Sequence, residues 1–178
     1  MPPVPQFGVC LPIFACPGVQ LFRVPAAPAL DVAAVLPFGR RAEALGYDSL
    51  WVADHLMLGK DEAILEGWTT LAALAGATER AKLGMIHMAH YFRHPSLTAK
   101  MVATLDQISG GRAVHFLDAG YQKREYVTYG LPWKDEMADR HADLVEATEL
   151  ILQLWSADGP TTFEGETWRV EGAVCEPK

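Results

Sequence analysis

Short apolar runs alternate with longer amphipathic stretches along this chain, and that alternation predicts its elements. Phe7-Gly8-Val9-Cys10-Leu11 is an apolar run closed by Pro12, which predicts a buried strand ending in a loop. Across residues 29–45 apolar positions recur at helical spacing up to Gly46, which is placed to cap a helix. Pro37 falls inside that stretch and predicts a break, with 29–36 as a separate turn. Residues 48–53 form the second strand, 67–78 an alanine-rich helix, and 82–86 the third strand. Pro95 opens a further helix that Gly110-Gly111 closes, and residues 112–117 read as a fourth strand. Residues 137–155 carry Leu144, Val145, Thr148, Ile151, Leu152 and Trp155 on one stripe, the longest helix predicted. Beyond it, Thr161-Thr162-Phe163 and Thr167-Trp168-Arg169-Val170 flank Glu164-Gly165-Glu166, so a small hairpin is expected at about 161–170.

Strands alternating with helices at intervals of roughly 35 residues are the pattern of βαβ units and a parallel sheet, so the fold class is α/β. A doubly wound sheet and a barrel both satisfy it. Leu11-Pro12-Ile13-Phe14 stands where a dinucleotide-binding unit needs G-x-G-x-x-G, and no phosphate-binding G-x-x-x-x-G-K-[ST] occurs.

Composition narrows the function classes. The 178 residues are half apolar and carry 15 Lys and Arg against 22 Asp and Glu, a net charge of −7. That balance offers no basic stripe for nucleic acid. No run reaches the ~18 apolar residues of a membrane helix, and the proline-rich start lacks the basic lead of a secretory signal. Cys10, Cys16 and Cys175 have no ligand-pair spacing, so neither a disulfide framework nor a zinc site is expected, and a reducing cytoplasm fits best.

Ligands of parallel α/β proteins meet the carboxyl ends of the strands, and here those ends are polar. Asp54 and His55 follow the second strand; His87 and His90, then Arg93 and His94, follow the third; Asp118, Gly120 and Tyr121 follow the fourth. Capping a turn is the alternative to a site role for Asp54. His55 is a candidate proton donor or acceptor, and His94, just before Pro95, reads as a helix cap or surface residue. Trp51, Trp155 and Trp168 read as core or interface aromatics. His87-x-x-His90-x-x-x-His94 invites a metal reading, but side chains at 87 and 90 leave an extended strand on opposite sides, and no metal is expected.

Several of these segments resemble one family. Arg41-Ala42-Glu43-Ala44-Leu45-Gly46-Tyr47-Asp48-Ser49-Leu50-Trp51-Val52-Ala53-Asp54-His55 is similar to the "AEELGFDSLWVSDH" segment of the luciferase-like monooxygenases, the superfamily of bacterial luciferase and deazaflavin-dependent oxidoreductases. Arg93-His94-Pro95, Ala99-Lys100-Met101 and Thr104-Leu105-Asp106-Gln107-Ile108-Ser109-Gly110-Gly111-Arg112 follow that family's "RHP…AK…TLD.ISGGR" block in order. Phe116-Leu117-Asp118-Ala119-Gly120-Tyr121 resembles its "GLGAGW" strand end, and Glu125-Tyr126 with Tyr129-Gly130 its "EY..YG". The resemblance runs from about residue 7 to 170.

It implies a (β/α)8 barrel of which residues 1–178 form the N-terminal half, about four βα units. It also implies FMN as cofactor, with coenzyme F420 as the alternative. By resemblance, Asp54 and His55 face the cofactor ring, His55 being catalytic. Ile86-His87 carries a non-proline cis peptide that supports the ring, and Gly120-Tyr121 lies alongside it. His87 and Asp118 depart from the family's commoner small or polar residues there. The implied activity is oxidation of a small organic substrate with reduced FMN and O2, the flavin being supplied by a separate reductase. F420-dependent hydride transfer is the alternative, as is a non-catalytic barrel subunit serving as a dimer partner; the intact Asp54-His55 pair argues against that last role. The family's cofactor-phosphate loops come late in the barrel. A homo-oligomer is expected at full length; four units leave outer strands as edges, so this chain alone is not expected to stand as a closed monomer.

Overall fold

The apolar runs of the first half pair side by side, as expected of strands buried on both faces. The structure, a computed structural model, describes residues 5–17 and 27–178; part of the proline-rich start lies outside them. In chain order the elements are β1 (Gly8–Cys10), α1 (Val32–Ala44), β2 (Ser49–Val52), α2 (Gly67–Ala77), β3 (Lys82–Met85), β4 (Met88–Ala89), α3 (Pro95–Ser109), β5 (Ala113–Val114), β6 (Leu117–Asp118), α4 (Lys123–Tyr129), α5 (Met137–Ser156), β7 (Thr161–Glu164) and β8 (Arg169–Ala173). They divide into two compact units, Met1–His87 with Arg112–Phe116, and Met88–Gly111 with Leu117–Lys178.

The first unit holds a four-stranded parallel sheet in the order β1-β2-β3-β5. One row of its register runs Val9, Leu50, Leu83, Ala113, and Leu50 and Leu83 are fully buried. Asp31 caps α1, its carboxylate accepting the N–H groups of Ala33 and Ala34. Contrary to the sequence-based expectation, α1 runs unbroken through Pro37. The proline is exposed, while Val35, Gly39 and Ala42 form the buried face, so the ring points to water and only the bond that residue 37 would give Ala33 is forfeited.

The turn between α2 and β3 is held from two distant places in the chain. The Glu43 carboxylate, on α1, accepts the backbone N–H groups of Glu79 (3.1 Å), Arg80 (2.7 Å) and Ala81 (2.7 Å). The Arg112 guanidinium, buried just before β5, donates Nη1 to Thr78 Oγ1 (2.9 Å) and the Ala81 carbonyl (3.0 Å), and Nη2 to the carbonyls of Ala75 (2.9 Å) and Thr78 (3.0 Å). The Ala75 carbonyl in the last turn of α2 and that of its cap residue Thr78, which have no partner within the helix, thus find one. Burial opposes ionisation of Glu43, but the N–H groups of Ala81, Arg80 and Glu79 and the Arg80 charge outweigh it and hold the carboxyl below its ordinary value.

In the second unit β4 pairs in parallel with β6, and α3 packs on α5. The core contains Tyr91, Tyr126, Leu150, Ile151, Leu154 and Trp168. The expected hairpin is present as β7 and β8, with Phe163 opposite Val170. Two carboxylates one turn apart on α5 fasten it. Glu146 accepts the N–H groups of Glu166, Thr167 and Trp168. Asp143 accepts from Tyr91 Oη, Lys134 Nζ (2.8 Å) and Thr167 Oγ1 (2.7 Å), and its carbonyl accepts Trp168 Nε1 (3.1 Å).

One further expectation is corrected. Residues 112–117 form two short strands in different sheets. Gly84 pairs with Val114 but Met88 with Leu117, so one side of the ladder advances four residues while the other advances three, an irregularity that interrupts pairing as a bulge does. The motif Glu125-Tyr126…Tyr129-Gly130 is a helix, α4, of two turns closed at Gly130, too short to display an apolar period.

Replacing Arg112 with Leu strips the donors from three carbonyls and is expected to lower unfolding free energy by about 3 kcal/mol in urea titration; a loss near zero contradicts the clamp. Glu43→Gln is expected to flatten the acid limb of the stability curve. The lowered folded pKa of Glu43 makes its contribution fully present above the unfolded value of 4.5 and lost as pH falls through the folded one.

Candidate functional site at the strand ends

At the carboxyl end of β2 the chain turns through Ala53 into Asp54 and His55, which are only 3 % and 9 % exposed. A carboxyl and an imidazole buried in a loop are costly unless their surroundings satisfy them. Two contacts fix where this loop leaves the sheet. Ile86 N–H donates to the Val52 carbonyl at 2.8 Å, tying the end of β3 to the end of β2. Gly67, the first residue of α2, packs its Cα so close beneath the loop that a Cβ there would lie 2.5 Å from the Ala53 carbonyl oxygen.

Beside this loop, the peptide between Ile86 and His87 is cis, where the resemblance implies one. Ile86 is 37 % exposed and Phe116, two residues past β5, 42 %. The His87 ring lies against Phe116 with centroids 4.9 Å apart. Adjacent strand ends of the first unit thus bring together Asp54, His55, Ile86, His87 and Phe116: a buried acid and imidazole next to an open apolar and aromatic floor.

In the second unit, β6 ends at Asp118, whose side chain turns back so that Oδ1 accepts the Gly120 N–H at 2.7 Å. Gly120 has φ +76°, and a Cβ there would meet the Tyr126 hydroxyl at 2.2 Å, so both backbone conformation and space require glycine. Tyr126 is fully buried, with the Phe92 and Trp133 rings tilted against it at centroid distances of 4.7 and 4.8 Å. Tyr121, next along, is half-exposed; such burial as it has, then the Glu125 and Asp118 carboxylates, push its phenol up. His90, 2 % exposed, lies against Tyr91 with centroids 3.9 Å apart and places Nδ1 at 3.1 Å from the Asp118 carbonyl oxygen. Burial holds its imidazole below the ordinary histidine value, against the Asp118 carbonyl and the Asp143 and Asp118 charges.

His94 caps α3, its Nδ1 accepting the Ser96 N–H at 3.3 Å, and Trp168 is a core aromatic; both agree with the sequence. Among the described residues no group of three His, Cys, Asp or Glu side chains could hold a metal ion, and no helix is long and apolar enough to cross a membrane. Sequence reasoning left Phe116 and Gly67 out of the site. Phe116 could have been found from its place beyond an apolar strand, and Gly67 from its position opening a helix, where glycine is a poor helix former.

Comparison with known proteins agrees with this architecture. The profile of the luciferase-like monooxygenase family matches residues 6–178, and the chain belongs to that family. Over 142 residues, 78 % of this chain, it is 30 % identical to an F420-dependent glucose-6-phosphate dehydrogenase of Amycolatopsis mediterranei (strain U-32), covering 42 % of that protein. It is 36 % identical over 115 residues to the pyrimidine monooxygenase RutA of Stutzerimonas stutzeri (strain A1501), covering 64 % of this chain and 31 % of that one. Among solved structures, an F420-dependent secondary alcohol dehydrogenase in complex with an F420-acetone adduct superposes with a TM-score of 0.78 at 25 % identity, covering 97 % of this chain and 48 % of that one. The chain therefore spans less than half the length of these relatives. Its fold is α/β of the (β/α)8 barrel type, about four βα units of it.

Gly67→Ala is expected to shift the Ala53–Asp54 backbone, since the atom a Cβ would meet is main chain, and to cost about 1–3 kcal/mol of stability. Thermal melting together with amide chemical shifts of residues 53–55 checks this. Unchanged shifts contradict the close packing.

Proposed function

We propose that this chain forms the ring-binding part of an oxidoreductase that uses a flavin-like tricyclic cofactor on a small organic substrate. The observation that carries the reading is the buried Asp54–His55 pair beside the half-open floor of Ile86, His87 and Phe116, at strand ends where ligands of parallel α/β proteins bind. The residues fit such a group. A flat conjugated ring needs a partly exposed apolar surface to cover, and Ile86 and Phe116 supply it; its polar edge needs hydrogen-bonding groups, and Asp54 and His55 are beside it. When bound, the cofactor supplies the redox chemistry.

The chain's own residues then have separable tasks. An imidazole nitrogen of His55 accepts or delivers the proton that accompanies oxidation or reduction of a substrate oxygen or nitrogen. The Asp54 carboxyl beside it orients that imidazole or a polar edge of the ring. Ile86, His87 and Phe116 keep water from one face.

F420, and so hydride exchange with an alcohol or a comparable substrate, is the reading we place first. The similarity to an F420-dependent relative extends over 78 % of the chain, against 64 % for the pyrimidine monooxygenase. The latter's higher identity supports the second reading, reduced FMN with O2.

Fluorescence titration with F420 and with FMN separates the two, and F420 is expected to bind more tightly; preference for FMN favours the monooxygenase. His55→Ala is expected to lower turnover with the bound cofactor by about 10²-fold while leaving the melting temperature nearly unchanged. Activity within twofold of the parent sinks the assignment.

A further inference from the structure

Trp51 has no task in the mechanism above, yet the sheet of the first unit is shaped around its ring. The register places it in one row with Cys10 on β1, Gly84 on β3 and, next to Gly84, Val114 on β5. Successive side chains of a strand leave opposite faces, so this row stands on the face opposite Leu50, Val52, Leu83 and Met85. Those four are fully buried, whereas Trp51 is only half-buried.

Two glycines make room for the indole. A Cβ on Gly84 would lie 2.7 Å from Trp51 Cε3, and a Cβ on Gly8 would lie 2.7 Å from its Nε1. Both glycines sit in extended strands, where the backbone suits any residue, so it is the indole that excludes a side chain. The ring therefore lies across both neighbouring strands, its benzene half over β3 and its pyrrole edge toward β1. Nε1–H donates to Ser49 Oγ at 2.8 Å, one row nearer the amino end of β2, which turns that edge away from the strand ends.

One row the other way on the same face come Ala53, Ile86 and Phe116, each two residues beyond Trp51, Gly84 and Val114. The Ile86 N–H to Val52 carbonyl bond carries the β2–β3 ladder up to that row. Met85 is fully buried and Ile86 37 % exposed, as the alternation requires. The surface proposed for the ring thus stands directly on the row that the indole fills.

We infer that Trp51 is a positioning residue that sets the depth of this surface: its indole, seated on Gly84, closes the sheet face one row below Ile86 and Phe116, so that a flat conjugated ring stops at their level. The depth role rests on the reading that a ring binds there, while the seat of the indole on Gly84 holds with or without a ligand.

Trp51→Leu, Gly84→Ala and the double variant test it in the full chain. Leu takes the shelf away and keeps an apolar side chain; Ala at 84 puts a Cβ into the seat and lifts the indole off the sheet. Dissociation constants for F420 and FMN are read from the cofactor's own emission, well below each variant's melting temperature. Each single variant is expected to weaken the tighter cofactor about tenfold, with Gly84→Ala adding less than about twofold in the Leu background, where no indole remains to displace. Trp51→Phe, with its smaller ring and an expected intermediate loss, replaces Gly84→Ala if that variant does not fold. Affinity unchanged in Trp51→Leu overturns the depth role, and so does an equal loss from Gly84→Ala in both backgrounds. The seat is read without ligand from the Gly84 Hα resonances, which a stacked indole moves upfield and Trp51→Leu is expected to return; resonances that stay put in that variant overturn it. If the parent binds neither F420 nor FMN, the proposed function falls and the depth role with it, while the Gly84 resonances still decide the seat.

Discussion

A single carboxylate gathering three successive backbone N–H groups is the constraint on which the first unit depends. Glu43 reaches from α1 to the turn at 79–81, and Arg112 closes the same turn from the far side by taking the carbonyls of Ala75, Thr78 and Ala81. Each alone would leave half of the turn's polar groups unsatisfied, and buried backbone groups without partners are expensive. Together they set where β3 begins, and because parallel register is then carried rung by rung, they set where β2, β3 and β5 end. The positions of Asp54, Ile86 and Phe116 at one edge follow from a turn at the opposite edge. The second unit repeats the device: Glu146 gathers three N–H groups of the 166–168 segment, and Asp143 binds the same segment through Thr167 and Trp168.

That device divides the residues by which the family is recognised. Glu43, Arg112 and Tyr126 stand in the segments that resemble the luciferase-like monooxygenases, and all three are structural: two clamp a turn, and one is the buried aromatic beneath Gly120. Asp54 and His55 are different. They are buried polar groups at a strand end with the partly exposed Ile86 and Phe116 beside them, and the proposed function assigns its chemistry to them. A strong resemblance in sequence thus reports largely on how the strand ends are held, and only in a few residues on what they do.

Much of the fold was legible because the strands are apolar runs and the helices carry a clear period; β2, β3, α2, α3 and α5 stand within a residue or two of their expected bounds. Pro37 misled because its effect depends on which face it occupies, and on the exposed face the helix tolerates it. The split of residues 112–117 was hidden because continuity of a strand is a property of its partner: β5 pairs with β3 and β6 with β4, and the extra residue lies on the partner side. Asp54 and His55 were visible as strand-end residues, whereas the cis peptide at Ile86-His87 was legible only through the family resemblance. The bond of His90 to the Asp118 carbonyl was not visible, since its acceptor stands 28 residues away, and main-chain acceptors leave no mark in a sequence.

The central claim is that the ends of β2, β3 and β5 form one surface for a flat ring. Amide chemical-shift mapping of the protein on adding F420, and separately FMN, tests it most directly. The largest perturbations are expected at residues 53–55, 86–87 and 116 with at least one of the two. Perturbations confined elsewhere, such as the groove that Val32 and Leu36 of α1 form with Thr69 and Ala73 of α2, would contradict it.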